Sequence, residues 1–274
     1  MTEAVRELSG AWNFRDVADG APALRPGRLF RSGELSRLDD AGRATLRELG
    51  ITDVADLRAN QEVARRGPGL VPDGIEIHRL PLPDLGDDAP GVNEAPHEHA
   101  FRRLFEGDAV QSDEEVNQAA VRHMIDEYRQ FPTRNGAQRA VRQVFSLLAA
   151  GRSVLTHCFA GKDRTGFVIA TVLEVLGVDR DTIVADYLRS NTAVPQLREH
   201  ISEMIKQRSD VELTPEVVTF TEARLSDGVL GVRPEYLDAA RHTIDEQFGS
   251  LDGYLRDAGV SESDVERLRG ELLA

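Results

Sequence analysis

His157-Cys158-Phe159-Ala160-Gly161-Lys162-Asp163-Arg164-Thr165-Gly166 follows the strand-like run Ser153-Val154-Leu155-Thr156 and precedes a strongly apolar segment, Phe167 to Leu176, closed by Gly177. Strand, turn and helix in that order predict a loop at the carboxyl end of a sheet strand, where α/β folds bind ligands. Backbone N–H groups in such a turn converge on an anion, and the helix dipole adds to them. Cys158 is the single cysteine of the chain, and a thiolate nucleophile needs a nearby positive field to ionise at neutral pH. Arg164, with five residues between, offers a planar fork that can grip two phosphate oxygens. Together these letters point to transfer of a phosphoryl group onto sulfur.

A free cysteine is often a small buried hydrophobe, but the surroundings oppose that reading here. Gly161 frees the backbone to approach a ligand, Thr165 is placed to hydrogen-bond the thiolate, and Gly166 is read as opening the apolar helix. A Walker-type nucleotide loop is excluded, because Asp163 stands where Ser or Thr must follow Gly161-Lys162.

Outward from the loop, the chain alternates strands and helices. Leu29-Phe30-Arg31, Ile51 to Leu57 and Ile75 to Leu80 read as strands, and Asp39 to Leu49 reads as a helix stopped by Gly50. Ala137, Ala140, Val141, Val144, Phe145 and Leu148 recur at helical spacing ahead of Gly151, and a further helix is expected at about 116–129. Residues 82–115 are acidic, contain Gly and Pro and lack a period, so a flexible loop is expected, with one helical turn at most around Phe101 to Phe105. Beyond Asp179 no strand is evident. Helices are expected at about 179–190, 195–208, 215–225, 234–248, 251–258 and 262–273, with Pro215 and Pro234 in first turns and Ser261 and Asp264 as a capping box. The fold class is therefore α/β, a sheet covered by helices with an all-helical C-terminal part, and one domain over 1–274 is expected.

Composition bounds the function. No stretch approaches the ~18–20 consecutive apolar residues of a membrane helix, and the N-terminus lacks the basic-then-apolar pattern of a signal peptide. A lone cysteine admits no internal disulfide, so a reducing, cytoplasmic compartment is expected. The net charge is −14, and between Asp84 and Glu115 ten acidic residues face two basic ones. A positive potential must be focused in a cleft rather than spread over the surface, and nucleic acid is not an expected partner.

His-Cys-x5-Arg-Thr resembles the signature of the cysteine-dependent tyrosine and dual-specificity phosphatases. Trp12-Asn13-Phe14-Arg15-Asp16, Arg25 to Ser32, Asp53-Val54-Ala55-Asp56-Leu57-Arg58 and Gly249 to Leu255 are similar to one bacterial branch of that family. The resemblance covers nearly the whole chain. It implies a phosphatase-type fold and activity toward phosphotyrosine, phosphoserine/threonine and phosphoinositides. It also implies export by a route that leaves no signal peptide, and a helical pair at 195–231 that covers the site.

On this reading Cys158 forms a phosphocysteine and Arg164 grips the equatorial oxygens. The amides of Phe159, Ala160, Gly161, Lys162, Asp163 and Arg164 cradle the phosphate, while Thr165 steadies the thiolate beside Gly166. The leaving oxygen needs a proton, and two donors are open. Asp163, in the loop, is favoured, since the phosphoinositide phosphatases of the myotubularin type carry Asp there. Asp84, after the third strand, is the alternative. Lys162 is expected to meet a second phosphate on an inositol ring, and His157 to orient the loop. Phe220 and Met204 are expected on the site-facing side of the lid. No cofactor is needed, and His97-Glu98-His99 is not read as a metal site. The rival from another class is a phosphate-binding adaptor that keeps the pocket without turnover.

Overall fold

The computed structural model describes residues 7–82, 113–206 and 230–274. The acidic stretch with Asp84 and the His97-Glu98-His99 triplet, the expected helix at 215–225 and Phe220 lie outside the described residues, as does the Met204 side chain.

Five short strands form one sheet: β1 (Arg15–Asp16), β2 (Leu29–Ser32), β3 (Asp53–Asp56), β4 (Glu76–Arg79) and β5 (Val154–His157), in the spatial order β1-β2-β5-β3-β4. Only β1 runs antiparallel to its neighbour; the other pairings are parallel. The strand that carries the cysteine loop is thus the middle one. Ser32, His157 and Asp56 are paired across β2, β5 and β3, so three strand ends converge beneath the loop.

Strand side chains alternate between two apolar layers, as a two-faced sheet demands. Phe30, Val54 and Leu155 join Leu8, Leu35 and Leu46 on one face, the last of these from helix α1 (Asp40–Glu48). Leu29, Ala55 and Val154 face the larger core. That layer is built by α3 (Asp113–Gln130), α4 (Asn135–Ala149), α5 (Asp163–Val175), α6 (Arg180–Leu188), α8 (Pro234–Phe248), α9 (Leu251–Asp257) and α10 (Glu262–Leu272). Helix α4 carries the expected stripe, with Ala137, Ala140, Val141, Val144, Phe145 and Leu148 all buried. Helix α10 begins on the expected capping box, Ser261 with Asp264.

Several elements depart from the sequence reading: strand β1 is not expected, α3 begins at Asp113 inside the stretch read as a loop to 115, and two further helices differ. Helix α2 (Asn60–Arg66) stands where no helix is expected, and its N-cap position is Ala59, whose backbone N–H is held by Glu62 Oε2 at 2.7 Å. Helix α5 starts at Asp163, not at Gly166, since Gly166 N–H already bonds Lys162 O at 2.8 Å. Arg164 and Thr165 therefore sit in the first helical turn, where orphan N–H groups gather. Helix α7 (Val194–Lys206) follows a 3₁₀ turn at Arg189–Ala193.

Candidate active site

Gly161 sets the shape of the loop. Its φ is +68°, and a Cβ there would come within 2.2 Å of Ser32 O, so the loop closes onto β2 only because this residue has no side chain. Two side chains then fix it from outside. Arg31 Nη2 donates to Gly161 O at 2.8 Å, and the Asn13 amide donates to Ala160 O and Gly161 O at 3.2 and 3.0 Å. Asn13 itself is held at a φ of +55° and receives Arg15 Nη1 on its side-chain oxygen. Arg15 and Arg31 share the carboxylate of Asp186 on α6, each at 2.7 Å. This three-charge cluster is buried, and the two guanidinium groups hold the Asp186 carboxyl below its ordinary range against the opposing effect of burial. Gly166 admits α6 to that position, since a Cβ there would meet the Tyr187 ring at 2.7 Å.

Cys158 is 2% exposed at the base of the loop. Arg164 lies in the same setting. Glu62 on α2 takes both of its terminal nitrogens, Nη1 at 2.5 Å and Nη2 at 2.9 Å, while Nε is buried with no hydrogen-bond partner. Burial alone would weaken the guanidinium's hold on its proton, but Glu62, then Cys158 and Asp163, shift its pKa upward overall. A bidentate carboxylate clamp of this kind fixes the plane of the fork. It leaves one buried donor uncommitted beside the cysteine, as a site for an incoming anion requires.

The strand ends beneath the loop form a second charge cluster. Asp56 accepts Arg58 Nε at 3.0 Å and Arg58 Nη2 at 2.9 Å, and it also pairs with Arg79. Its carboxyl is held far below the ordinary carboxylate range: burial opposes this, and His157, Arg58 and Arg79 outweigh it. Arg58 reaches Glu34 at 3.2 Å. His157 is wholly buried, with Nδ1 3.2 Å from its neighbour's carbonyl at Cys158 and Nε2 3.7 Å from Asp56. Burial lowers its pKa, against the opposing pull of Asp56. The ring faces the scaffold, in keeping with an orienting part.

Three expectations change. Thr165 Oγ1 is buried without a hydrogen-bond partner, so the expected bond to the Cys158 sulfur is not made. Lys162 does not extend toward the mouth of the loop. It is 2% exposed, and its Nζ is 3.0 Å from Asp163 Oδ1 and 3.2 Å from Gly231 O. Asp163 in turn accepts the Tyr128 hydroxyl at 3.1 Å, and Tyr128 Oη lies 2.6 Å from Tyr187 Oη. The Asp163 carboxyl is thus engaged in a buried polar chain running from α5 to α3 and α6, which a free proton donor would not be.

Helix α7 lies against the loop. Leu197 and Ile201 pack with Phe159 and Ala160, and the ring of His200 lies against both Trp12 and Phe159, at centroid distances of 4.9 and 5.9 Å, to close a three-ring cluster. The first of the two expected covering helices therefore touches the site.

Sequence reasoning missed Glu62, Tyr128 and Asp186. Asn13, Arg15, Arg31, Asp56 and Arg58 enter the sequence reading only through the resemblance, and each belongs to the scaffold of the loop. Glu62 had one local signal: a carboxylate three residues after a helix-entry position, which can reach back to that residue's N–H.

Known proteins share this arrangement's sequence. The chain is 73% identical over 275 residues to the triple specificity protein phosphatase PtpB of Mycobacterium tuberculosis, covering 98% of this chain and 99% of that protein. It is 34% identical to a putative tyrosine-protein phosphatase of Cupriavidus necator, over 96% of this chain and 86% of the relative. A tyrosine-protein phosphatase of Nostoc commune is 28% identical over 94% of this chain and 78% of its own length. The model of the tyrosine phosphatase family matches residues 6–274, so the cysteine loop, its carboxylate-clamped arginine and the strands beneath them all fall within the match, and the chain belongs to that family.

Proposed function

We propose that this tyrosine phosphatase family member hydrolyses phosphate monoesters through a phosphocysteine on Cys158. The observation that carries the reading is the Arg164 fork, locked in plane by Glu62 with its Nε left uncommitted next to a buried cysteine. The Cys158 thiolate attacks phosphorus, the bond from phosphorus to the leaving oxygen breaks, and that oxygen takes a proton. Water then attacks phosphorus, the P–S bond breaks, and the thiolate and inorganic phosphate are restored. Arg164 and the loop amides hold the equatorial oxygens through both steps.

The substrate range extends to phosphotyrosine, phosphoserine/threonine and phosphoinositides. The similarity to a triple specificity phosphatase supports the first two; the last rests on the resemblance of the loop letters alone, since Lys162 is enclosed by Asp163 and Gly231. An aryl phosphate assay on wild type and Cys158→Ser tests the chemistry. Turnover is expected to fall to background in the variant. Undiminished turnover would sink the thiolate mechanism, and wild-type phosphopeptide binding without turnover would favour an adaptor.

Asp163 and Asp84 remain the two candidate proton donors. The bonds of Asp163 to Lys162 and Tyr128 favour a positioning part for it and move the weight of the assignment to Asp84. Asp84→Asn is expected to steepen the dependence of rate on leaving-group pKa, while Asp163→Asn lowers the rate without steepening it. The opposite pattern would return the role to Asp163.

A further inference from the structure

Helix α6 reaches the cysteine loop through two consecutive residues. Asp186 holds Arg31, whose Nη2 donates to Gly161 O at 2.8 Å. Tyr187 packs over Gly166, where a Cβ would approach its ring to 2.7 Å, and its hydroxyl lies 2.6 Å from that of Tyr128 on α3. Tyr128 donates in turn to Asp163 Oδ1 at 3.1 Å. The first tie thus ends on Gly161, and the second ends on the first residue of α5, directly before Arg164.

The supply of protons forces the direction of the second tie. Asp163 pairs with Lys162 Nζ at 3.0 Å and, as a carboxylate, only accepts. Tyr128 gives its single proton to Asp163, so the proton between the two phenols comes from Tyr187. Tyr128, Tyr187 and Asp163 are 0%, 1% and 2% exposed. Burial first, and then the charge of Asp163, push the pKa of both phenols well above the ordinary tyrosine range. Both phenols therefore stay protonated at neutral pH, and Asp163 always has its donor.

A carboxylate at the head of α5 has to be managed. It suits the helix dipole, but it opposes an incoming phosphate at the same helix end. Lys162 offsets its charge, and Tyr128 fixes where its oxygens lie. Asp163 shares the first helical turn with Arg164, so any swing of its backbone carries the guanidinium along. We propose that Tyr128 is a positioning residue of the reaction, which acts through Asp163 to hold the first turn of α5, and with it Arg164, in place beside Cys158. The inference rests on the phosphocysteine reading of the loop. Tyr187 orders the Tyr128 hydroxyl and acts only through it.

Tyr128→Phe removes the hydroxyl and keeps the ring, which packs on Phe131 and Tyr236 at 4.8 and 5.5 Å. On an aryl phosphate, kcat is expected to fall about tenfold while KM changes less than about threefold, because a shift in the first turn acts at the transition state. The Kd of orthovanadate, whose adduct with the thiolate resembles that state, is expected to rise by about the same factor, and it reads the loop whether or not the loop turns over. The dependence of rate on leaving-group pKa stays that of wild type. A steepened dependence would make Asp163 the proton donor and overturn a positioning part for Tyr128.

Further variants separate rate from stability. Tyr128→Phe strands the buried Tyr187 hydroxyl and lowers the urea midpoint, whereas Tyr128→Phe/Tyr187→Phe removes both hydroxyls and regains part of it. The rate does not follow. The double variant stays as slow as Tyr128→Phe, and Tyr187→Phe, which keeps the bond from Tyr128 to Asp163, loses about threefold or less. A kcat that recovers with the midpoint in the double variant, or that is unchanged in Tyr128→Phe, overturns the inference. Failure of the phosphocysteine reading shows separately, as turnover that survives in Cys158→Ser.

Discussion

Strand β3 begins and ends on a buried aspartate, and the two ends are built for different purposes. At its start, Asp53 accepts Arg152 Nε at 2.7 Å, Thr52 Oγ1 at 2.7 Å and lies 2.9 Å from His78 Nε2, but Arg152 is 45% exposed and can return to water. At its end, Asp56 meets Arg58, which is 0% exposed, and the cluster runs on through Glu34 to the residues around the cysteine loop. A charge whose partner is solvated costs little to lose, whereas a charge whose partner is sealed leaves an uncompensated ion in the interior. The lesson is that buried ion pairs in this protein are concentrated where the loop must be held still: Asp56 with Arg58, Glu62 with Arg164, and Asp186 with Arg15 and Arg31.

The sharpest break in this contrast is expected at Glu62. Glu62→Gln keeps the shape but loosens the clamp on Arg164, and a small displacement of a positioning group costs roughly 100-fold in rate. We expect kcat/KM on an aryl phosphate to fall by about that factor, mostly in kcat. A change below threefold would show that Arg164 is positioned without the clamp.

Next comes the end of β3. Asp56→Asn leaves the sealed Arg58 with one counter-charge fewer, and a loss of about 3 kcal/mol in unfolding free energy is expected from urea denaturation at pH 7. The depressed pKa of Asp56 contributes stability that is present above about pH 4 and disappears as pH falls further toward the native value. The variant should therefore lose less stability than wild type between pH 5 and pH 3, both of these values being approximate bounds of the carboxylate window. Parallel acid limbs for the two proteins would remove Asp56 from this account.

The smallest effect belongs to the start of the strand. Asp53→Asn is expected to cost about 1 kcal/mol or less, because Arg152 resolvates, with phosphatase activity retained. A loss as large as that of Asp56→Asn would erase the difference between the two ends.

How far the sequence discloses these relations depends on their range. The loop is legible because its nucleophile, glycine and arginine lie within a few residues and the flanking strand and helix are periodic. Helix α4 is legible for the same reason. Helix α2 is not: seven residues, Asn60-Gln61-Glu62-Val63-Ala64-Arg65-Arg66, carry no apolar stripe, and the helix exists because Glu62 is satisfied by Ala59 at one end and Arg164 at the other. Strand β1 has two residues and no period to show. The ties of Asp186 to Arg15 and Arg31 and of Tyr128 to Asp163 span distant stretches of chain, and no local pattern encodes such pairings. A lysine in an anion-binding loop reads as a contact for the anion, whereas the fold turns Lys162 to a carboxylate and a carbonyl of its own.

The sole tryptophan of the chain, Trp12, sits with its ring 5.8 Å from Phe159 in the loop and 4.9 Å from His200 on α7. Its half-buried indole therefore touches both parts that must separate if α7 lifts from the loop. Excited at its own absorption band, the unmodified protein carries a built-in optical gauge. Emission shifts to longer wavelength when more water reaches the ring, so any lifting of α7 would be read without a dye, a label or a substitution.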